Sequence, residues 1–305
     1  MTMPSRPPRL RRCQLAVPGS SSKMLAKAAA SRADYVFCDL EDAVAPSAKP
    51  GARQTIVEAL NTLDWGQKTR CVRINDVTTP WCFEDIISIV DGARHNVDVI
   101  MLPKAMRASD VRFVDLLLSQ LEAKLGMSKR IGIEALIEEV EALQNVEEIS
   151  RASPRMEALI FGMGDYAASQ GLDIREIGGD SGYPGDVFHY PRWRITMAAR
   201  AAGLDAIDGP FASFQNEAGY RTECKRALAL GMVGKWAIHP AQIEPALEIF
   251  SPRAEDVALA RELAAAYEKA VAEGLGSVNV RGMMVDAASI RLLTNTLKKA
   301  DLIGM

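Results

Sequence analysis

Six charged side chains in this sequence stand where short apolar runs stop. Glu41 and Asp42 follow the run at 35–40, and Arg73 lies near the end of 69–74. Lys104 comes just after 98–102, Glu138 just after 130–136, and Asp165 closes Phe161-Gly162-Met163-Gly164-Asp165. Each has a plain structural reading. Glu41 or Asp42 caps a helix or meets a basic neighbour, and Arg73 pairs with Glu41. Lys104 is a solvated loop residue. Glu138 sits in an acidic helix start with Glu139 and Glu141, complementing the helix dipole. Asp165 caps a helix over 166–169. Taken together, the four acids and two bases gather at one rim, which surface decoration does not explain.

Acids crowded at one mouth repel one another unless positive charge sits among them. Arg73 and Lys104 offset part of that repulsion, and a divalent cation would offset more. Oxygen ligands without imidazole or thiolate suit Mg²⁺, which takes one or two carboxylates and keeps its other positions for water or substrate. Glu138 and Asp165 follow consecutive runs and are the expected ligand pair. Zinc is disfavoured, because His95, His189 and His239 have no ligand spacing. No GxSxG is present, and no cysteine is placed as a nucleophile. The implied chemistry is metal-assisted proton transfer or carbon–carbon cleavage, with the metal as Lewis acid on a carbonyl or alkoxide.

Positioning these groups needs a repeated scaffold. Eight apolar runs, at 13–17, 35–40, 69–74, 98–102, 130–136, 158–164, 205–207 and 234–238, alternate with helical segments. That alternation predicts βα units and a parallel sheet, and eight of them predict closure into a (β/α)8 TIM barrel. An open doubly wound sheet is the alternative, but no GxGxxG follows the first run. Ser109 is the expected cap of a long helix reaching 125. Residues 173–192 form the one long irregular loop, a length usually tied to function. Residues 1–250 are expected to be the barrel domain. Residues 251–305, with a helix at 254–273, a short segment at 278–285 and a final helix, form a C-terminal helical lid extension outside the eightfold pattern.

A net charge of −3 over 305 residues gives no electrostatic reason to expect nucleic acid. No apolar run approaches the roughly 20 residues of a membrane span. Five scattered cysteines without a CxxC pair argue against a disulfide framework and favour a reducing cytoplasm. The arginine- and proline-rich stretch at 4–12 lacks the apolar core of a secretory signal and reads as a disordered arm.

Leu40-Glu-Asp-Ala-Val44, Val72-Arg-Ile-Asn75, Ile100-Met-Leu-Pro-Lys104, Ala135-Leu-Ile-Glu138 and Gly162-Met-Gly-Asp165 resemble the successive motifs of the citrate lyase β-subunit-like (HpcH/HpaI aldolase) family. Gly231-Met-Val-Gly-Lys-Trp-Ala-Ile-His-Pro240, Arg281-Gly-Met-Met-Val-Asp286, Leu63-Asp-Trp-Gly66 and Gly209-Pro-Phe211 narrow the likeness toward its malyl-CoA lyase branch. The resemblance implies a barrel with a C-terminal extension, assembled as a homotrimer or homohexamer. It implies reversible Claisen-type cleavage of a 3-hydroxyacyl-CoA to acetyl-CoA or propionyl-CoA plus the 2-oxoacid glyoxylate. A citramalyl-CoA lyase, a malyl-CoA thioesterase and a non-catalytic CoA-binding subunit are the alternatives. By match to the family motifs, Glu138 and Asp165 hold Mg²⁺. Backbone N–H groups of Met163, Gly164 and Asp165 bind the substrate carboxylate. Arg73 steadies the enolate oxygen, with Glu41 in the catalytic group. Asp286, from a neighbouring subunit's lid, exchanges the proton at the acetyl-CoA methyl carbon. Lys23 and Lys27 are expected near the CoA phosphates. Two departures stand out. Ser21 replaces the arginine the family often carries after Pro-Gly-Ser, and the loop at 173–192 is shorter than in typical malyl-CoA lyases.

Overall fold

Runs that are apolar on both faces can pair as parallel strands only if helices cover them, and the chain supplies those helices in alternation. The structure, a computed structural model, describes residues 6–174, 177 and 183–305. In order come β1 (Cys13–Pro18), α1 (Ser22–Ala29), β2 (Tyr35–Asp39), α2 (Lys49–Thr62), β3 (Thr69–Arg73), α3 (Cys82–Ala93), β4 (Val99–Leu102), α4 (Ala108–Leu125) and β5 (Gly132–Ile137). Then follow α5 (Val140–Gln144), α6 (Val146–Ser150), β6 (Met156–Phe161), α7 (Met163–Gln170), α8 (His189–Ala201), β7 (Asp205–Asp208), α9 (Glu217–Ala229), β8 (Gly234–Ala237) and α10 (Ile243–Phe250). Each strand pairs in parallel with the next, and β1 pairs with β8. The result is the closed (β/α)8 barrel expected from the sequence.

Alternation along each strand sorts the side chains. Tyr35, Phe37, Cys71, Met101, Leu136, Ile160 and Trp236 form one cluster inside the barrel. A second, larger cluster fills the layer between strands and helices. All five cysteines are buried free thiols. Among the described residues no helix is long and apolar enough to cross a membrane.

Of the disordered arm expected for residues 4–12, residues 4 and 5 lie outside the described residues, and residues 9–12 are held in place. Arg9 reaches Glu157 at 2.7 Å, Arg11 reaches Glu134 at 2.8 Å and Glu157 at 2.5 Å, and Arg12 reaches Asp34 at 2.7 Å. Those pairs close the N-terminal floor of the barrel, where buried carboxylates on β5 and β6 need partners. The cap of α4 also differs. Arg107 occupies it, and its N–H donates to Asp110 Oδ2 at 2.9 Å, leaving Ser109 within the first turn. The irregular stretch at 173–192 is shorter than expected, because α8 begins at His189; residues 175, 176 and 178–182 of that expected loop lie outside the described residues.

After Phe250 the chain continues as α11 (Ala254–Ala272), β9 (Ser277–Val280), β10 (Met283–Asp286) and α12 (Ala287–Leu302). Strands β9 and β10 pair antiparallel through a two-residue turn with Arg281 at φ 52° and Gly282 at φ 81°. A tight hairpin of this kind requires left-handed central residues. The C-terminal half of α12 lies against the barrel floor, where Lys298 and Lys299 line one cavity with Arg11 and Asp205.

Candidate active site

The mouth of the barrel is set by the parity of its strands. In β2, Tyr35 and Phe37 face inward, so Asp39 does too. Its partner in register on β3 is Arg73. Arg73 donates from Nε to Asp39 Oδ1 at 2.8 Å and from Nη2 to Asp39 Oδ2 at 2.6 Å, a bidentate pair. Its Nη1 lies 3.0 Å from Glu41 Oε2. The guanidinium also rests over the Phe37 and Trp236 rings, 5.8 and 5.4 Å from their centroids. Two of the five N–H donors of an arginine are thereby hydrogen-bonded, both to Asp39, while Glu41 Oε2 is paired with the guanidinium by charge alone and accepts no hydrogen bond, which leaves N–H donors for a ligand.

Both acidic and basic neighbours are organised around this arginine. Glu41 Oε1 accepts from Lys104 Nζ at 2.5 Å, so Lys104 is not a solvated loop residue. Lys104 holds a left-handed backbone, φ 45°, and its N–H donates to Glu138 Oε1 at 2.7 Å. A non-glycine residue at positive φ is strained, and such strain is retained where the surroundings fix it. Behind Glu41, the buried Lys49 ammonium donates to the Leu40 and Glu41 carbonyls and to Asn75 Oδ1, at 2.7, 2.8 and 2.6 Å. Asn75 in turn donates to Asp85 Oδ2 at 2.6 Å. This network fixes the β2–α2 turn that carries Glu41 and the β3–α3 turn that follows Arg73.

Glu138 and Asp165 meet at the same mouth. A cavity of 410 Å³ is lined by Asp39, Arg73, Glu138, Gly164, Asp165 and Trp236, among others. Glu138 precedes α5, whose cap is Glu139, so it is not part of the acidic helix start. Asp165 is the third residue of α7, which begins at Met163 after Gly162, so it does not cap that helix. The first helical bond of α7 runs from Tyr166 N–H to the Gly162 carbonyl at 3.1 Å. The N–H groups of Met163, Gly164 and Asp165 therefore have no partner within the helix, and a helix N-terminus presents such donors to an anion. Gly162 is obligatory here, because a Cβ would stand 2.5 Å from Glu138 Cβ and Oε2.

Electrostatics distinguish three of these acids, Asp39, Glu41 and Glu138. Burial raises the Asp39 pKa, but the charge and hydrogen bonds of Arg73 outweigh it and hold the carboxyl below its ordinary value. Burial pushes the Glu41 carboxyl up, with Asp42 adding to the shift and Arg73 and Lys104 opposing it. Glu138 is pushed up to about 8 by burial, then by the charges of Glu41 and Asp165. An ionised Glu138 beside Asp165 thus calls for a further positive charge. The two carboxylates offer hard oxygen donors, and among the described residues no group of three or more His, Cys, Asp and Glu gathers for a metal. That donor set fits a cation taking few protein ligands, as Mg²⁺ does.

Three expected site residues stand apart. Lys23 and Lys27 lie exposed on α1, and neither is among the residues lining the mouth. Ser21 caps that helix, its hydroxyl accepting from the Met24 N–H at 3.3 Å. Within one chain Asp286 caps α12, accepting from the Ser289 N–H at 2.8 Å and Oγ at 2.9 Å, and it does not line the mouth. The residue missed by reading the sequence is Asp39. Counting parity from Tyr35 and Phe37 finds it.

A family model described as HpcH/HpaI aldolase/citrate lyase matches residues 12–240. The L-malyl-CoA/beta-methylmalyl-CoA lyase of Rhodobacter capsulatus is 42% identical, covering 99% of this chain and 98% of that protein. The (3S)-malyl-CoA thioesterase of Cereibacter sphaeroides is 34% identical, covering 96% and 95%. Protein CitE from Mycobacterium tuberculosis, solved in complex with magnesium, acetoacetate and coenzyme A, aligns with a TM-score of 0.74 at 29% identity, covering 96% and 98%. With its barrel closed, its mouth built from strand-end acids and an arginine, and three-quarters of its length matched, the chain belongs to the HpcH/HpaI aldolase/citrate lyase family.

Proposed function

We propose that this chain is a Mg²⁺-dependent carbon–carbon lyase. It reversibly cleaves malyl-CoA or β-methylmalyl-CoA to acetyl-CoA or propionyl-CoA plus glyoxylate. One observation carries the reading: Arg73, with N–H donors left unspent by Asp39, lines the same cavity as the Glu138–Asp165 pair. The name of the Rhodobacter relative supports the substrate, and the magnesium and coenzyme A in the CitE complex support the cofactor and the acyl carrier.

Each residue has a derived task. Glu138 and Asp165 would hold Mg²⁺, which when bound supplies Lewis acidity to the oxygens of the 2-oxoacid half. The N–H groups of Met163, Gly164 and Asp165 receive that half's carboxylate at the α7 N-terminus. As the C2 hydroxyl gives its proton to solvent and the C2–C3 bond of the hydroxyacid breaks, the C2 oxygen becomes the glyoxylate carbonyl and negative charge builds on the thioester oxygen. Arg73 meets that charge with donors already oriented by Asp39 and Glu41, so little reorganisation is needed. Lys104 fixes Glu41 from the other side and presents its N–H to Glu138. The enolate carbon then takes a proton from Asp286 of a neighbouring copy. Lys23 and Lys27 offer charge to the CoA phosphates along α1.

The test is product analysis. The protein is incubated with acetyl-CoA or propionyl-CoA and with glyoxylate or pyruvate, with and without Mg²⁺, and products are identified by mass. Malyl-CoA or β-methylmalyl-CoA formed only with Mg²⁺ is the expected result. A preference for pyruvate makes it a citramalyl-CoA lyase. Supplied malyl-CoA yielding free malate makes it a thioesterase, the activity named for the 34% identical Cereibacter relative.

A further inference from the structure

Between the C-terminal half of α12 and the barrel floor lies a cavity of 390 Å³, on the face opposite the proposed mouth. Its charges do not balance. Arg9, Arg11 and Arg12 are matched by Glu157, Glu134 and Asp34. Arg200 donates to the Gly231 carbonyl at 2.8 Å and lies 3.5 Å from Asp205, which also takes Arg11 at 3.1 Å. Among the described residues Asp205 is the one carboxylate lining the cavity, and it is already shared by two arginines.

Lys298 and Lys299 also line the cavity, and neither has a hydrogen-bond or ion-pair partner among the described residues. Lys299 is half-buried. Its burial, and then the nearby Arg200 charge, push its pKa below the ordinary lysine value, and the Asp205 charge opposes them without cancelling them. Withdrawing an ammonium from water costs free energy unless a counter-charge compensates it, and the nearby Asp205 is already shared by two arginines. A ligand bearing that counter-charge would offset the cost. Apart from Asn295, the remaining wall is mainly apolar, with Val233, Phe250 and Leu302.

We infer that this cavity binds a small organic dianion, its charges met by Lys298, Lys299 and Arg200 and its short apolar body lying against Val233 and Leu302. Occupancy ties α12 to the barrel. The site is independent of the proposed mouth, because it uses none of the mouth residues.

The test uses the full chain, dialysed free of metal so that a carboxylate is not drawn to Glu138 and Asp165. Inorganic phosphate and succinate are titrated separately at constant ionic strength, set with sodium chloride. The expected result is a saturable rise in melting temperature of about 2 °C or more. Amide exchange should slow over 291–303 and 9–12. Succinate acting alone identifies a dicarboxylate, and phosphate acting alone a phosphate ester. The double variant Lys298→Gln/Lys299→Gln should lose the rise, whereas Lys299→Arg should keep it. The inference fails if neither probe exceeds sodium chloride, or if the double variant responds like the parent. It fails equally if Arg73→Ala abolishes the response, which would put the ligand in the mouth.

Discussion

At the scale of single residues, the mouth is a balance between one arginine and the acids that hold it. Arg73 is buried, and its strongest tie is the two-point contact with Asp39. Removing one partner of a buried pair strands the other charge. Asp39→Ala is therefore expected to cost about 3–5 kcal/mol in urea unfolding. Its turnover should fall about 100-fold or more, because the guanidinium loses its aim toward the developing charge. Unchanged turnover would remove Asp39 from the site. Glu138 makes a pH prediction whose sign follows from its raised pKa. The folded state binds this proton more tightly than the unfolded chain, so the contribution to stability is full below the ordinary value of 4.5. It is lost as pH rises through about 8. In metal-free protein, Glu138→Gln should gain stability over the parent as pH climbs between those values. Mg²⁺ affinity of the parent should rise over the same range and level off above about 8, because the metal needs the ionised form. A pH-independent affinity would show that Glu138 is not a ligand.

At the scale of elements, what the sequence disclosed depended on whether a local signal existed. All eight strands were legible because runs apolar on both faces, each followed by a helical pattern, call for parallel strands covered by helices. Glu138 and Asp165 stood out because each ends such a run. Asp39 did not, because it sits inside the run at 35–40, and only its inward parity marks it. The floor contacts of Arg9, Arg11 and Arg12 were equally hidden, since their partners lie on distant strands. The left-handed Lys104 has no sequence signature either. The β6–α7 junction gives a prediction at this scale. Gly162 is the residue that lets β6 end directly under Glu138. Gly162→Ala must push the carboxylate aside, at a cost of about 1–3 kcal/mol for the overpacking. Calorimetric titration should then show Mg²⁺ binding lost, while circular dichroism keeps the barrel signature. Retained metal binding would mean the carboxylate at 138 is not what the glycine accommodates.

At the scale of the whole molecule, the tail is difficult to explain within one chain. Strand β10 leaves Met284 72% exposed, and α12 leaves Leu292 74% exposed, which is costly apolar surface for a segment with no partner. The end of α12 lies at the floor, and Asp286 does no more than cap a helix. A segment that leaves its own mouth untouched but carries a carboxylate and exposed apolar side chains is suited to a neighbour's mouth. Symmetric assembly would repeat that contact around a ring. Two inactive variants separate this arrangement from one in which each chain works alone. Arg73→Ala spoils the mouth but keeps the tail, and Asp286→Ala does the reverse. Mixed after mild dissociation and reassembly, a random mixture should regain activity at about a quarter of its sites, those where an intact mouth meets an intact tail. Chains that complete their own sites would give no recovery at any ratio. Asp286→Ala alone should lower the melting temperature modestly, through the lost cap, while nearly abolishing proton exchange at the acetyl-CoA methyl group. Were the two effects to scale together, the carboxylate would be a cap and nothing more.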